Sequence, residues 1–121
     1  MDGKRKIGDH YEGVAARYLA SHGVRILARN VYNRGGEIDL IGQDGTTLVF
    51  FEVRYRRAGS LVGAAESITW RKQQRLIQAA RFYLHRHQLS NTDSRIDVIA
   101  IGPGSLKKYR VQWLKNALQA G

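Results

Sequence analysis

The chain has 121 residues, 43% of them hydrophobic, which is enough for one compact core and too little to divide between two. Its 20 Lys and Arg against 10 Asp and Glu leave a formal charge of +10, an excess that attracts polyanions, nucleic acid ahead of an anionic membrane surface. The absence of cysteine excludes disulfides, thiolate zinc sites and cysteine nucleophiles, and His85 and His87, two apart in a helical pattern, diverge too far to make a zinc pair.

The opening MDGKRKIGDHYEG lacks the apolar run of a secretory signal, and no later stretch approaches the ~20 apolar residues of a membrane span. The expectation is a single cytoplasmic domain, 1–121, with no membrane partner. Residues 1–7 read as a basic tail. A helix is predicted from about Asp9, as N-cap, to Ser21, with Gly23 as its stop and Ala15, Ala16 and Leu19 on its inner face. A strand is expected over 24–32, with Val24, Ile26 and Ala28 alternating against Arg25, Leu27 and Arg29, and it breaks at Asn33-Arg34-Gly35-Gly36. Two further strands, 37–41 and 47–55, flank Asp44-Gly45, a pair that favours a type I′ hairpin.

Small residues from Ala58 to Ser67 read as a loop, followed by a long basic amphipathic helix to about Gln88. Its inner face is Ile68, Leu76, Ala79, Ala80, Tyr83 and Leu84. Apolar runs at 95–101 and 108–113 predict two more strands around Gly102-Pro103-Gly104, and residues 115–121 read as a frayed helical end. A helix of that length between strands suits a parallel crossover, so the order αβββαββ implies an α/β fold: a mixed sheet flanked by helices.

A two-residue loop at Asp44-Gly45 sets Asp39 opposite Phe50 and Glu37 opposite Glu52. Alternation then projects Glu37, Asp39, Glu52 and Arg54 from one face while Ile38, Leu40, Val49, Phe51 and Val53 fill the other. Asp39 and Glu52 become diagonal neighbours, roughly 7–8 Å apart at the backbone, able to converge on one cation. Adjacent carboxylates repel unless their charge is offset, and Mg²⁺ (or Mn²⁺), which takes carboxylates together with phosphate oxygens, would offset it. Arg54, two residues further, would lie beside a scissile phosphate.

The blocks Gly36-Glu37-Ile38-Asp39-Leu40-Ile41 and Val49-Phe50-Phe51-Glu52-Val53-Arg54-Tyr55-Arg56-Arg57 resemble the paired motifs of the PD-(D/E)XK nuclease superfamily. Together with Asn30-Val31-Tyr32-Asn33-Arg34, Lys72-Gln73-Gln74-Arg75 and Arg95-Ile96-Asp97-Val98-Ile99-Ala100-Ile101, they resemble the small bacterial YraN-like family, itself similar to archaeal Holliday-junction resolvases. The resemblance implies a restriction-endonuclease-like αβββαβ core, metal ligation by Asp39 and Glu52, and a supporting carboxylate at Glu12. Junction-cutting relatives work as symmetric dimers because two opposed strands must be cut, so a homodimer is one reading, while the residues show no self-complementary patch and leave the oligomeric state open. Arg54 stands where the superfamily has lysine. It keeps its charge at any working pH, so it binds phosphate and does not act as a general base.

Each acid also has a structural reading. Asp9 and Glu12 have the spacing of a capping box, Asp39 lies towards a strand end, and Glu52 can pair with Arg54. Glu37, at the start of its strand, reads as solvated or hydrogen-bonding. Arg34, Arg56, Arg57, Arg71, Lys72 and Arg75 cluster around the motif strands and the following helix, where phosphates would approach. Lys72 is a candidate to replace the missing strand lysine. Tyr55, Trp70 and Trp113 read as core or rim packing. The expected function is a Mg²⁺-dependent, structure-selective endonuclease acting on DNA. A non-catalytic nucleic-acid-binding module of the same fold, or a basic assembly protein binding an acidic partner, stand as alternatives.

Overall fold

The computed structural model describes residues 2–57 and 61–118. Its elements run α1 (Asp2–Ser21), β1 (Arg25–Asn33), β2 (Gly36–Asp44), β3 (Thr47–Tyr55), a 3-10 turn (Val62–Ala64), α2 (Trp70–Arg86), β4 (Ser94–Pro103) and β5 (Tyr109–Leu118). The five strands form one mixed sheet in chain order, antiparallel except for the β3–β4 pair. The crossover through α2 makes that pair parallel, so the α/β class and the αβββαββ order both stand. No helix among the described residues is long and apolar enough to cross a membrane.

The central strands β3 and β4 carry nearly unbroken apolar runs because both faces of the sheet are covered. On one face α1 packs Val14, Ala15 and Leu19 against Leu40, Val49, Phe51, Ile99 and Ile101. On the other, α2 packs Leu76, Ile77, Ala79 and Ala80 against Ile38, Ile41, Phe50, Ile96 and Val98. The predicted inner face of α2 is borne out, including Tyr83 and Leu84 at its margin. Thr69 caps this helix by accepting from the Lys72 N–H at 3.2 Å, which moves its start from Ser67 to Trp70. Its first turn holds Arg71 and Lys72 and no acid.

Several expectations need correction. Residues 2–7 continue α1 rather than forming a tail, so Asp9 lies inside the helix and caps nothing. Residues 115–118 extend β5 instead of fraying as a helix, while 119–121 and the loop positions 58–60 fall outside the described residues. In β1, a register shift between Ile26 and Ala28 sends these two residues to opposite faces. The hairpin closes one residue later than predicted: Asp44 pairs with Thr47, and Gly45-Thr46 is the loop. Gly45 has φ +63° whereas Thr46 has no positive φ, so only the first loop position needs the freedom of glycine, as in a type II′ turn.

One buried polar knot ties the far half of the sheet together. Asp97, fully buried on β4, accepts from Trp113 Nε1 at 2.8 Å, from the Asn116 N–H at 2.7 Å and from Arg95 Nε at 3.0 and 3.1 Å. Arg95 also reaches Asp44 at 2.7 Å, joining β4 to the hairpin end of β2. Every bond the Asp97 carboxylate makes is charge-assisted, and its loss would strand several buried donors at once. Asp97→Ala is therefore expected to lower the unfolding free energy by about 3–5 kcal/mol in urea titration. Asp93→Ala, which removes an exposed bond to the Thr47 hydroxyl, should cost no more than about 1 kcal/mol.

Candidate metal centre

Between β2 and β3 the ladder stops at Leu40↔Phe51, although β3 continues beside β4 as far as Tyr55↔Ile101. Across β2, Asn30 of β1 adopts φ +51°, and the β1–β2 ladder passes from Arg29↔Leu40 to Val31↔Ile38 without pairing Asn30 and Asp39. The inside–outside alternation of β2 slips there: Ile38 and Ile41, three residues apart, both face α2, while Leu40 faces α1. Released from the ladder, Asp39 turns its carboxylate along the sheet and accepts the Val53 N–H at 2.8 Å through Oδ2. A side chain thus takes the place of a missing backbone acceptor.

Two predictions need correction at this site. Asp39 comes level with Glu52 rather than with Phe50, because the observed hairpin register is offset by two from the expected one. The acids do not all project from one face, and Ile38 leaves the apolar set assigned to Leu40, Val49, Phe51 and Val53. They meet instead in the gap where the strands part. A cleft of about 700 Å³ opens there, with Glu12, Asp39, Glu52, Arg54 and Lys72 in its lining.

Glu12 enters the gap from α1 and is 7% exposed. Because α1 begins seven residues before Asp9, the capping-box reading of Glu12 has no helix end to act on. One of its oxygens interacts with the Asn30 side chain, whereas Oε1 is buried without a hydrogen-bond partner. Carboxylate oxygens of Glu12, Glu37 and Asp39 lie within 4.8 Å of one another. Glu37, read from sequence as a solvated strand-start residue, therefore belongs to the cluster. Its position two residues before Asp39 was the available signal, outweighed in the sequence reading by its place at the start of the strand.

Glu52 lies on the other side of Asp39, buried, with the two carboxyl groups close enough for Asp39 to disfavour its ionisation. Lys72 Nζ, from the first turn of α2, is 3.5 Å from Glu52 Oε2, and the Arg54 guanidinium is 3.8 Å away. Arg54 also donates to Ser67 Oγ at 3.3 Å. Burial and the neighbouring Asp39 push Glu52 up to about 8, against the opposing pull of Lys72 and Arg54. Burial, then Asp39, Asp9 and Glu37, push Glu12 up to about 7. A buried oxygen without a donor, inside a cluster of hard oxygen ligands that resist ionising together, suits a divalent cation.

At the mouth, Tyr11 stacks on Tyr55 with centroids 4.2 Å apart, and exposed Arg57 is near enough to act on the Tyr11 hydroxyl. Arg56 holds the end of β3 through its backbone N–H, which donates to Ile101 O at 2.8 Å. Arg34, Arg71 and Arg75 are not in this cleft and line a separate groove on the outside of α2. Trp113 is held by Asp97, as expected of a packing residue, but Trp70 is 74% exposed and packs in no core.

The model of an uncharacterised protein family, UPF0102, matches residues 11–101, a span that contains Glu12, Glu37, Asp39 and Glu52. A UPF0102 protein from Marinobacter nauticus is 65% identical over 119 residues, covering 98% of this chain and 97% of the relative. One from Dichelobacter nodosus is 47% identical over 94% of this chain and 90% of its own length. The UPF0102 protein YraN of Escherichia coli O1:K1 / APEC is 46% identical over 93% of this chain and 84% of its own. With a family model spanning most of its length and relatives aligned nearly end to end, the chain belongs to the UPF0102, YraN-like family.

Proposed function

We propose that the protein is a divalent-cation-dependent nuclease that acts in the cytoplasm on DNA phosphodiester bonds and recognises shape through backbone phosphates. The observation that carries this reading is the unpartnered, buried Oε1 of Glu12 within a three-carboxylate cluster, in a chain of formal charge +10. The net charge attracts phosphate and the cluster repels it, a conflict that a cation between them resolves.

Glu12, Glu37 and Asp39 would hold Mg²⁺ or Mn²⁺, with Glu52 adjoining through Asp39. When bound, such an ion supplies Lewis acidity at phosphorus and lowers the pKa of water beside it. Arg54, one-third exposed at the cleft, pairs with a phosphate oxygen and steadies the charge that develops on it. Lys72 brings to Glu52, from α2, the ammonium that the superfamily carries on the strand, and holds a phosphate oxygen or an attacking water in place. The Tyr11–Tyr55 stack shields one side of the cleft from solvent. A binding module without cleavage is the second reading, favoured by the one observation that a permanently charged Arg54 replaces lysine.

Asp39→Asn and Glu52→Gln are each expected to abolish Mg²⁺-dependent cutting of a labelled four-way junction while DNA binding in chelator survives. Lys72→Ala should slow cutting by about 10²-fold. Tight, salt-sensitive binding with no cutting in Mg²⁺ or Mn²⁺ would leave the binding module in its place.

The pH dependence has a definite sign. Glu12 and Glu52 have folded-state values of about 7 and 8, raised from 4.5, so between those limits the metal-free folded chain binds more protons than the unfolded chain. Their contribution is complete below about pH 4.5 and lost as the pH rises through 7 to 8. Thermal unfolding in chelator should thus show a midpoint that falls across this window, and the Glu12→Gln/Glu52→Gln double variant should flatten the fall. Mg²⁺ binds the ionised carboxylates and should raise the wild-type midpoint more at pH 8 than at pH 6.

A further inference from the structure

The outer face of α2 forms a second feature, a groove of about 630 Å³ that contains none of the carboxylates. Arg71 and Arg75 stand four residues apart along it and Arg81 follows six residues later, with Gln74 and Gln78 between, on the side away from the core stripe of Leu76, Ala80 and Tyr83. Arg34 joins them from the β1–β2 turn. That turn is pinned to the helix: Asn33 Nδ2 donates to Ala79 O at 3.0 Å, and a Cβ on Gly35 would lie 2.3 Å from the Ala79 nitrogen. Only glycine permits so close an approach, and the approach seats Arg34 in the groove.

Two properties distinguish this face from an ordinary solvated one. Among the described residues, none of the four guanidiniums has an ion-pair or hydrogen-bond partner, whereas Arg54, Lys72 and Arg95 are all paired. The cations are also interleaved with aromatic surface, half-buried Phe82 at one end and the 74% exposed indole of Trp70 at the other. From Trp70 to Arg81 the stripe runs about 16 Å. Unpaired guanidiniums that follow a line, beside an exposed ring, match a single strand, whose phosphates track the cations while an unstacked base covers the ring. A blunt duplex keeps its bases stacked and offers nothing to the indole.

We propose that this groove binds an unpaired DNA strand, with Trp70 as a base-stacking platform and Arg34, Arg71, Arg75 and Arg81 on consecutive phosphates. The preferred substrate is then a duplex bearing a single-stranded tail or flap. The first turn of α2 is the wall common to both features, since Lys72 faces Glu52 in the cleft while Trp70 and Arg71 face the groove. The assignment of the tail to a substrate, rather than to a bound ligand, rests on the nuclease reading of the cleft; the binding itself does not.

The test measures binding of labelled DNA in chelator by anisotropy, with a blunt duplex and the same duplex carrying a single-stranded tail. The tail should tighten wild-type binding by about tenfold or more. Trp70→Ala, at an exposed position with an unchanged thermal midpoint, should erase that gain without weakening the blunt duplex, and Trp70→Phe should restore most of it. Arg71→Ala/Arg75→Ala should reduce the salt dependence of tail binding. Equal affinity for blunt and tailed DNA in the wild type, or equal loss on both in Trp70→Ala, would overturn the proposal. So would a polyglutamate peptide that competes as strongly as the tail, pointing to an acidic protein instead. If wild type cuts DNA in Mg²⁺ yet shows no tail preference, the groove assignment fails alone. If the preference is present and no DNA is cut, the nuclease reading fails alone.

Discussion

The architecture of the cleft depends on one hydrogen bond that a side chain makes in place of the backbone. Where β2 and β3 part beyond Leu40↔Phe51, the Val53 N–H would be stranded inside the protein, and Asp39 Oδ2 accepts it. An unsatisfied buried N–H costs about 1–3 kcal/mol, so the bond stabilises an opening that a regular ladder would close. The same bond fixes Asp39, and Asp39 in turn sets the electrostatics of Glu12 on one side and Glu52 on the other. Left-handed Asn30, next to it on β1, supplies the second half of the distortion and a partner for Glu12.

A cationic chain that buries an acidic knot is a conflict of charges, and the fold separates the two parts of it. Asp97 is acidic and buried but completely paired, with Arg95, Trp113 and Asn116 saturating it, so it serves the sheet. Glu12 is acidic and buried and has an oxygen with no donor. Residue type and burial are alike in the two cases. Satisfaction of the hydrogen bonds is what distinguishes a brace from a site awaiting a ligand.

Much of this was legible in the sequence where a periodic pattern met a single environment. The 3.6-residue stripe of α2, the apolar runs of β3 and β4 and the crossover between them followed from alternation and length alone. Asp39, Glu52 and Glu12 were identified, and so was the closeness of the first two. The details of the site that failed have separate causes: the turn fell at Gly45-Thr46, which shifted the hairpin register, the Asn30/Asp39 slip moved Ile38 to the other face, and Glu37 was set aside for its place at the strand start. The N-terminal boundary failed differently. Gly8 and a basic opening read as a tail, and the weak signal of Asp9 as a cap stood in for a helix start seven residues earlier. Trp70 was assigned to packing because tryptophan usually packs, and no local pattern could reveal that its neighbours on the sheet side were already filled.

The first turn of α2 places Arg71 and Lys72 where the helix macrodipole favours negative charge; the turn itself holds no acid, and Glu52 of β3 pairs with Lys72 alone. The cation left without an acid, Arg71, costs the free helix about 0.3–1 kcal/mol. A phosphate bound there, as proposed above, would reverse the sign of that cost, because it would meet two side-chain cations and the exposed N–H groups of the turn together. The free protein therefore carries a small electrostatic cost at this turn, and on the function proposed above an anionic ligand would gain part of its affinity by relieving it.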